Sequence, residues 1–324
     1  MNNVSKKSEK AHLRVLEICA GGGGQALGLE SAGFLHAAAV EIEPIACATL
    51  RKNRPSWTVI QEDLRNIDGK DYAGIDLLAA GVPCPPFSVA GKQLGSNDDR
   101  DMFPAALNLV RNSKPKAVLL DNVPGLASAK FEEYRSALLL SFERLGYIPD
   151  WRILNASHFG VPQLRPRFVL VALRREFKGT FVWPEAQSKA PSVGEAIHDL
   201  MASRGWPGAN HWKARASTIG PTIVGGSKKH GGPDLGPTRA RAQWAQLAVN
   251  GISIADEPPG PEFPIDGTPR LTVRMVARVQ GFSDDWSFIG RKTAAYRQVG
   301  NAFPPPVACA VGQAIRVALF GKAV

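Results

Sequence analysis

The chain has 324 residues, of which 44% are hydrophobic and 21% are charged. This composition is typical of a soluble globular protein with one large domain or two, and no apolar run approaches the ~20 residues of a membrane span. The formal net charge of +10 indicates a polyanionic partner, most simply nucleic acid.

The termini and the cysteines exclude several further classes of protein. Residues 1–11 are polar and lack the apolar core of a secretory signal, so we expect a flexible tail. Cys19, Cys47, Cys84 and Cys309 are widely spaced and form no C-x-x-C pair. This spacing argues against a metal site and against a disulfide framework, and it suits a reducing compartment.

The first half of the chain alternates between short apolar strands and helices. Strands are predicted at 14–18, 37–41, 57–60, 75–79 and 117–120. Helices are predicted at 25–30, 44–50, 103–110 and 131–145, the last of them ending at Gly146. Alternation of this kind predicts an α/β fold, with a mostly parallel sheet covered by helices on both faces.

A glycine-rich turn follows the first strand. Gly21, Gly23 and Ala26 match the G-x-G-x-x-G/A pattern, and Glu41 ends the next strand 20 residues later. Such a turn lets the backbone approach a ligand closely, and the carboxylate can bind ribose hydroxyls. The pattern predicts an adenosine-containing cofactor, either a dinucleotide or S-adenosylmethionine. Asp63, after the third strand, either accepts a hydrogen bond from an adenine amino group or caps a helix.

The segment 81–88 places Cys84 just past the carboxyl end of the fourth strand. Pro83, Pro85 and Pro86 prevent the strand from continuing. An open α/β sheet holds its reactive groups at this edge, so we interpret Cys84 as a nucleophile rather than as a buried structural cysteine.

The order of these motifs resembles the DNA cytosine-5 methyltransferase family. The resemblance rests on seven segments in order, with a long variable stretch before the last two: 16–24, 41 with 63, 83–88, 121–123, 163–167, 270–282 and 298–307. It implies a Rossmann-like class I S-adenosylmethionine-dependent methyltransferase with a smaller, irregular target-recognition domain. The implied boundaries are a tail at 1–11, a catalytic domain at 12–183 plus 292–324, and a recognition domain at 184–291.

The implied reaction transfers a methyl group to C5 of a cytosine flipped out of a short duplex DNA site. Addition of the Cys84 thiolate to C6 makes C5 nucleophilic. By resemblance Arg165 contacts O2 of the base, and Asp121 meets N3 and the amino group with a pKa raised by the closed site. Arg167 is expected to be structural or to face a phosphate.

Asp121 departs from the family, which has glutamate at this position. Aspartate is one methylene shorter, which removes roughly 1.5 Å of reach. Three interpretations stay open: the backbone shifts to compensate, the enzyme is slow, or the site prefers a modified base or cofactor.

The resemblance also assigns binding residues. Those expected at the cofactor are Cys19, Ala20, Gly21, Gly23, Gly24, Glu41, Ile42, Asp63, Leu64, Pro83 and Asn301. Those expected at double-stranded DNA are Ser88, Gln93, Arg167, Lys228, Lys229, His230, Arg239 and Arg241. Trp244 is expected to support the basic recognition loop, and the segment 88–101 is expected to close over the base.

The compact recognition region favours one target sequence and no regulatory modules. This organisation resembles a bacterial or phage modification enzyme, monomeric and cytoplasmic, either solitary or paired with a restriction endonuclease. Three alternatives remain: a tRNA cytosine-5 methyltransferase, a DNA-binding homologue that has lost catalysis because of Asp121, and a nicotinamide dehydrogenase raised only by the glycine pattern.

Overall fold

A seven-stranded sheet organises the computed structural model, which describes residues 12–83, 101–186, 189–226 and 232–321. The strands are β1 (Leu13–Ile18), β2 (Phe34–Glu41), β3 (Val59–Gln61), β4 (Leu77–Ala80), β5 (Ala117–Asn122), β6 (Tyr147–Asn155), β7 (Gln163–Leu164), β8 (Pro166–Arg174) and β9 (Gly220–Pro221). The helices are α1 (Gly24–Ser31), α2 (Pro44–Asn53), α3 (Phe103–Ser113), α4 (Glu132–Arg144), α5 (Val193–Ala202), α6 (Ala209–Arg215), α7 (Thr238–Gln246), α8 (Val273–Val279), α9 (Lys292–Asn301) and α10 (Pro305–Phe320).

The strand order of the sheet is β3-β2-β1-β4-β5-β8-β6. The first five strands are parallel, whereas β8 runs antiparallel to both of its neighbours. The predicted α/β class and mostly parallel sheet are therefore confirmed. Because β8 is reversed, it begins at the edge where the parallel strands end, and residues at its start can meet residues at the end of β5.

The strand order reverses between β1 and β4, which lie side by side in the middle of the sheet. Ile18 pairs with Ala80, so the two chains leave the sheet next to each other. Ligands of open α/β sheets bind in the crevice at such a switch point, outside the carboxyl ends of the strands. The glycine-rich turn follows β1, and the segment containing Cys84 follows β4.

All five predicted strands are present with boundaries shifted by one to three residues, and two of these shifts have identifiable reasons. β3 begins at Val59 rather than at residue 57, because the amide of Trp57 closes a turn by donating to the carbonyl oxygen of Arg54 at 3.0 Å; the Trp57 ring stacks on His36, with the ring centroids 4.1 Å apart. β5 continues through Asp121 and Asn122, because both residues pair with β8. Asp121, which follows the predicted strand at 117–120, therefore lies inside a buried strand.

The predicted recognition region, residues 184–291 (the recognition half), contains four helices among its described residues, α5 to α8, around its own buried tryptophans. Trp206, Trp212 and Trp244 lie in one apolar cluster that also includes Leu27 of α1 and Leu50 of α2. The core of this half is thus continuous with the packing behind the glycine-rich turn. The domain boundaries stay a prediction.

The C-terminal helices return to the sheet. α10 packs on α1 so closely that a Cβ on Gly28 would lie 2.4 Å from the carbonyl oxygen of Pro305.

Among the described residues, one stretch, Lys292–Phe320, which comprises α9 and α10, has the length and apolar composition of a membrane span. Of its most apolar window, 56% is buried inside the protein.

Candidate active site

The glycine-rich turn is held in a defined shape by hydrogen bonds from outside it. Gly21 and Gly23 adopt left-handed φ values of 54° and 87°, which glycine reaches without strain. The amide of Gly21 donates to Oε2 of Glu41 at 2.7 Å, and the amide of Gly23 donates to the carbonyl oxygen of Ala20 at 3.1 Å. A Cβ built on Gly21 would meet nothing within 4 Å, so this point of the turn faces open space.

Glu41 is fixed at the end of β2. Its Oε1 accepts a hydrogen bond from the amide of Glu43 at 2.8 Å, and only 7% of the residue is exposed. Burial raises the pKa of its carboxyl, and the two backbone amides oppose that rise. Each carboxylate oxygen accepts one described hydrogen bond and keeps lone-pair capacity for a ligand hydroxyl.

The other residues predicted at the cofactor differ in their contacts and in their exposure. Asp63 caps the short turn at Leu64–Asn66 and pairs with Arg65, which lowers the pKa of Asp63 to about 2. Leu64 is buried, whereas Ile42 is 57% exposed beside Glu41. The capping role weighed for Asp63 is therefore present, and its contact with adenine stays a prediction.

Cys19 and Ala20 lead into the turn at the end of β1. Cys19 has a left-handed φ of 54°, and burial, reinforced by the carboxylates of Glu41 and Asp63, raises the pKa of its thiol. The amide of Ala20 donates to the carbonyl oxygen of Val40 at 3.1 Å. Gly24 begins α1, where a Cβ would lie 2.3 Å from the carbonyl oxygen of Phe303.

The crevice formed by these residues fits an adenosine-containing group. It combines a backbone turn that is open at Gly21, a buried carboxylate at the end of the neighbouring strand, and the N-terminus of α1. These are the parts that hold the ribose of a nucleoside cofactor at a switch point.

Pro83 is the last described residue of the segment that follows β4. The side-chain amide of Asn122 donates to the carbonyl oxygen of Val82 at 3.4 Å, which ties this segment to the end of β5. Leu120 pairs with Ala80, so the chain leaves β4 beside Asp121. Of the predicted site residues, Cys84, Ser88, Gln93, Lys228, Lys229 and His230 lie outside the described residues.

Asp121 and Arg167 form a buried bidentate ion pair beside this exit. Nε of Arg167 donates to Oδ1 at 2.8 Å, and Nη2 donates to Oδ2 at 2.6 Å. Burial raises the pKa of Asp121 above its ordinary value, and the Arg167 guanidinium opposes the rise. Arg167, expected to be structural or to face a phosphate, is held on this acid because β8 starts where β5 ends.

Arg165 makes different contacts from those expected of a base-binding arginine. Its Nη1 donates to the carbonyl oxygen of Ile223 at 2.7 Å, and its Nη2 donates to those of Gly300 and Ala302 at 2.9 and 3.0 Å. Burial and the nearby Arg167 lower the pKa of Arg165 to about 9, which leaves it charged at neutral pH. Both terminal nitrogens of Arg165, which was predicted to contact O2 of a base, thus donate to backbone carbonyls, and its contact with a base stays a prediction.

A buried amide network beside Arg165 was not predicted from the sequence. Nε2 of Gln163 donates to Oε1 of Gln280 at 2.6 Å, and Oε1 of Gln163 accepts from the amide of Ile223 at 2.7 Å. Gln280 in turn donates to the carbonyl oxygen of Ala302 at 2.8 Å. This network and Arg165 join the start of β8 to the recognition half and to the C-terminal helices.

A cleft of about 510 Å³ lies between the start of β8 and α7. Arg239 and Gln243 line it one helical turn apart on α7, and both side chains are exposed. Arg241 donates to the hydroxyl of Thr238 at 3.3 Å on the same helix. Trp244, predicted to support the recognition loop, lies on the buried face of the same helix and is fully buried.

Asn301 ends α9 between the two halves. Its side-chain amide donates to the carbonyl oxygen of Gly226 at 3.1 Å, and its neighbour Ala302 lies against Gly24. The residue therefore contacts the recognition half directly, and its contact with the cofactor stays a prediction.

Comparison with known proteins gives one consistent family. The family described as C-5 cytosine-specific DNA methylase matches residues 13–316. The chain is 56% identical to a Type II methyltransferase, M.NaeI of Lentzea aerocolonigenes, over 95% of this chain and 75% of that protein. It is 53% identical to the Type II methyltransferase M.NgoMIV of Neisseria gonorrhoeae, over 94% of this chain and 97% of that protein.

Solved structures agree on the fold. A putative DNA modification methyltransferase encoded within an Escherichia coli prophage superposes with a TM-score of 0.64 at 22% identity, covering 95% of this chain and 99% of that one. The Spodoptera frugiperda DNMT2 variant superposes with a TM-score of 0.66 at 17% identity, covering 94% and 99%.

Proposed function

The chain belongs to the C-5 cytosine-specific DNA methylase family, and from this premise we propose that it methylates cytosine within one short duplex site as the modification enzyme of a restriction system. It is a DNA (cytosine-5-)-methyltransferase. The relatives named as Type II methyltransferases support the restriction context, because that name belongs to modification enzymes.

One observation carries the proposal: the candidate groups converge at one edge of the sheet. The glycine-rich turn, Glu41, Pro83 and the pair of Asp121 with Arg167 come from four parallel strands and one reversed strand that meet there. A methyl donor in the crevice and a base beside Asp121 would then both lie close to Pro83, the residue that precedes Cys84 in the chain.

S-adenosylmethionine is the cofactor that we propose for this crevice, where it would supply an electrophilic methyl group. Glu41 would accept hydrogen bonds from its ribose hydroxyls, and the open turn at Gly21 would lie against the amino-acid end. Asp63 would accept a hydrogen bond from the adenine amino group. Burial of Glu41 makes its carboxylate a rigid acceptor, which reduces the entropy lost on binding.

Cys84 would act as the nucleophile on the cytosine ring. Its thiolate would add to C6, the electron pair of the C5–C6 double bond would become available at C5, and C5 would take the methyl group as the S–CH3 bond of the sulfonium breaks and S-adenosylhomocysteine is left. Loss of the C5 proton to water and departure of Cys84 then restore the double bond. Asp121 would face N3 and the amino group of the base; burial raises the pKa of its carboxyl, and the Arg167 guanidinium opposes that rise.

We assign Arg167, rather than Arg165, to the chemistry beside Asp121. Arg167 uses Nε and Nη2 on the acid, and its Nη1 makes no hydrogen bond within the described residues, so it can donate to O2 of the base. Arg165 would hold the two halves of the enzyme together through three backbone carbonyls.

A cytosine inside a duplex hides C6, so the target base must leave the helix and enter the crevice. The cleft lined by Arg239 and Gln243 would receive the DNA backbone and base edges, and the region 184–291 would recognise the target. We further propose a cytoplasmic monomer, with a cognate endonuclease as a functional rather than physical partner.

Bisulfite sequencing of plasmid DNA from cells that express the protein tests this function. We expect protected cytosines at a single recurring short site, and no protection in tRNA from the same cells. Protection confined to tRNA, or no protection in either polymer, would contradict the proposal.

A further inference from the structure

Trp286 lies directly behind the glycine-rich turn, although it is 264 residues away from it in the sequence. Its indole N–H donates to the carbonyl oxygen of Gly22 at 3.0 Å, and only 1% of the residue is exposed. Its ring also fills the space beside Gly23, where a Cβ would lie 2.4 Å from Cζ2 of the indole. The same side chain thus makes one polar and one steric contact with the turn.

We propose that Trp286 is a positioning residue for the cofactor, acting through the Gly22 peptide. The inference rests on the proposed binding of S-adenosylmethionine at this turn. Four consecutive glycines have no side chains to hold their conformation, so their shape must be imposed from outside. Glu41 holds the amide of Gly21, Ala20 holds the amide of Gly23, and Trp286 holds the carbonyl between them.

The indole is itself held in place from the side away from the turn. The guanidinium carbon of Arg54 lies 5.3 Å from the ring centroid, and Arg54 forms a bidentate ion pair with Glu30 of α1. Asn53 and Ser287 exchange two hydrogen bonds of 2.8 Å, which fix the chain next to Trp286 to the end of α2. The ring therefore cannot shift without breaking these contacts.

Replacing the indole by a phenyl ring would keep most of the packing and remove the N–H. The carbonyl oxygen of Gly22 would then lack its hydrogen bond from the indole. A buried carbonyl without a donor costs free energy, and this cost favours rotation of the peptide. A rotated Gly22 peptide would change the shape of the turn that meets the cofactor. Binding of the cofactor would weaken because part of its free energy would be spent on restoring the turn.

Trp212 provides a matched control within the same protein. It is fully buried, and its indole N–H donates to the carbonyl oxygen of Ala248 at 3.1 Å, among the helices of the recognition half. Trp212→Phe thus removes the same kind of hydrogen bond at a place that does not touch the turn. A purely structural role for Trp286 predicts equal effects of the two substitutions on cofactor binding.

The test is calorimetric titration of the full-length chain with S-adenosylhomocysteine, with the melting temperature measured in parallel. We expect Trp286→Phe to raise the Kd by about five- to tenfold, and Trp212→Phe to change the Kd by less than about twofold. We expect the two substitutions to lower the melting temperature by similar amounts. An unchanged Kd in Trp286→Phe, or an equal rise in both variants, would overturn the inference.

The Arg54→Lys variant and the wild-type chain provide two further measurements of S-adenosylhomocysteine binding. If Trp286→Phe does not fold, Arg54→Lys loosens the indole without touching the turn, and we expect its Kd to rise by about two- to threefold. An unchanged Kd in that variant would overturn the inference. A wild-type chain that does not bind S-adenosylhomocysteine would refute the proposed cofactor rather than the role of Trp286.

Discussion

Asp121 of β5 and Arg167 of β8 form a buried bidentate ion pair, with N···O distances of 2.8 and 2.6 Å, because β8 is reversed within an otherwise parallel run of strands. Arg165, two residues earlier, is bonded to three backbone carbonyls instead. The two arginines of one short motif therefore differ in their contacts, and we propose different roles for them, Arg167 beside the reacting base and Arg165 between the halves of the protein.

Lysine substitutions should separate these two roles. Arg167→Lys keeps the charge but loses the two parallel hydrogen bonds to Asp121, so we expect kcat to fall by about 100-fold. Arg165→Lys removes buried hydrogen bonds between the halves, so we expect a melting temperature lower by several degrees and a smaller loss of kcat. Single-turnover methylation and thermal unfolding of both variants would show this; equal losses of kcat would contradict the assignment.

Asp121→Glu should raise turnover on cytosine-containing DNA. The aspartate carboxylate is drawn to Arg167 and is only 2% exposed, which leaves it recessed from a base in the crevice. Glutamate adds roughly 1.5 Å of reach, and the flexible arginine can retract to admit it. The measurement is kcat at saturating DNA and cofactor. A rate that stays the same or falls would refute the interpretation that Asp121 makes the enzyme slow.

Stability should respond to pH through Glu17, whose carboxylate lies 3.0 Å from Nε2 of His36 with both side chains fully buried. Burial raises the pKa of Glu17 above its ordinary 4.5, and the contacts with His36 oppose that rise. A folded state that holds its proton more tightly than the unfolded state loses stability as pH rises above 4.5 towards the raised pKa.

Glu17→Gln removes this titration while keeping a hydrogen-bonding side chain. We therefore expect the unfolding free energy of the wild type, relative to that of the variant, to decrease as the pH rises above 4.5 in urea titrations. Glu133→Gln, on the exposed face of α4, should show no such trend. A wild-type-to-variant difference that is constant over this range would refute the raised pKa.

Arg239 should contribute to DNA binding, because it is exposed and lines the cleft between the start of β8 and α7. We expect Arg239→Ala to weaken binding of a duplex containing the target site by about tenfold and, if it meets a phosphate, to reduce the salt slope by about 1. Arg175→Ala is the control, since this exposed arginine follows the far end of β8. Equal losses in both variants would indicate a diffuse charge effect.

The parts of the fold that follow local rules could be predicted from the sequence. Five parallel strands, the helices between them and the glycine-rich turn depend on patterns within about 20 residues, such as the spacing of Gly21 and Glu41. The structure brings these two residues into direct contact, as that spacing suggests.

The parts that depend on distant contacts could not be predicted. The side chains of Gln163 and Gln280 meet across 117 residues, and Trp286 reaches Gly22 across 264. Neither contact leaves a periodic signal, because each depends on how whole elements pack. The reversed strand β8, which brings Arg167 to Asp121, was not predicted for the same reason. An apolar run in the sequence does not indicate whether a strand lies parallel or antiparallel to its neighbours.

The central claim is that the Cys84 thiolate bonds to C6 of the target cytosine. The most direct measurement is mass spectrometry of the protein after incubation with S-adenosylmethionine and duplex DNA that carries 5-fluorocytosine at the methylated position. We predict a stable protein–DNA adduct that maps to the peptide containing Cys84, and none with Cys84→Ser. Methylation of ordinary cytosine by Cys84→Ser at the wild-type rate, without any adduct, would contradict the account.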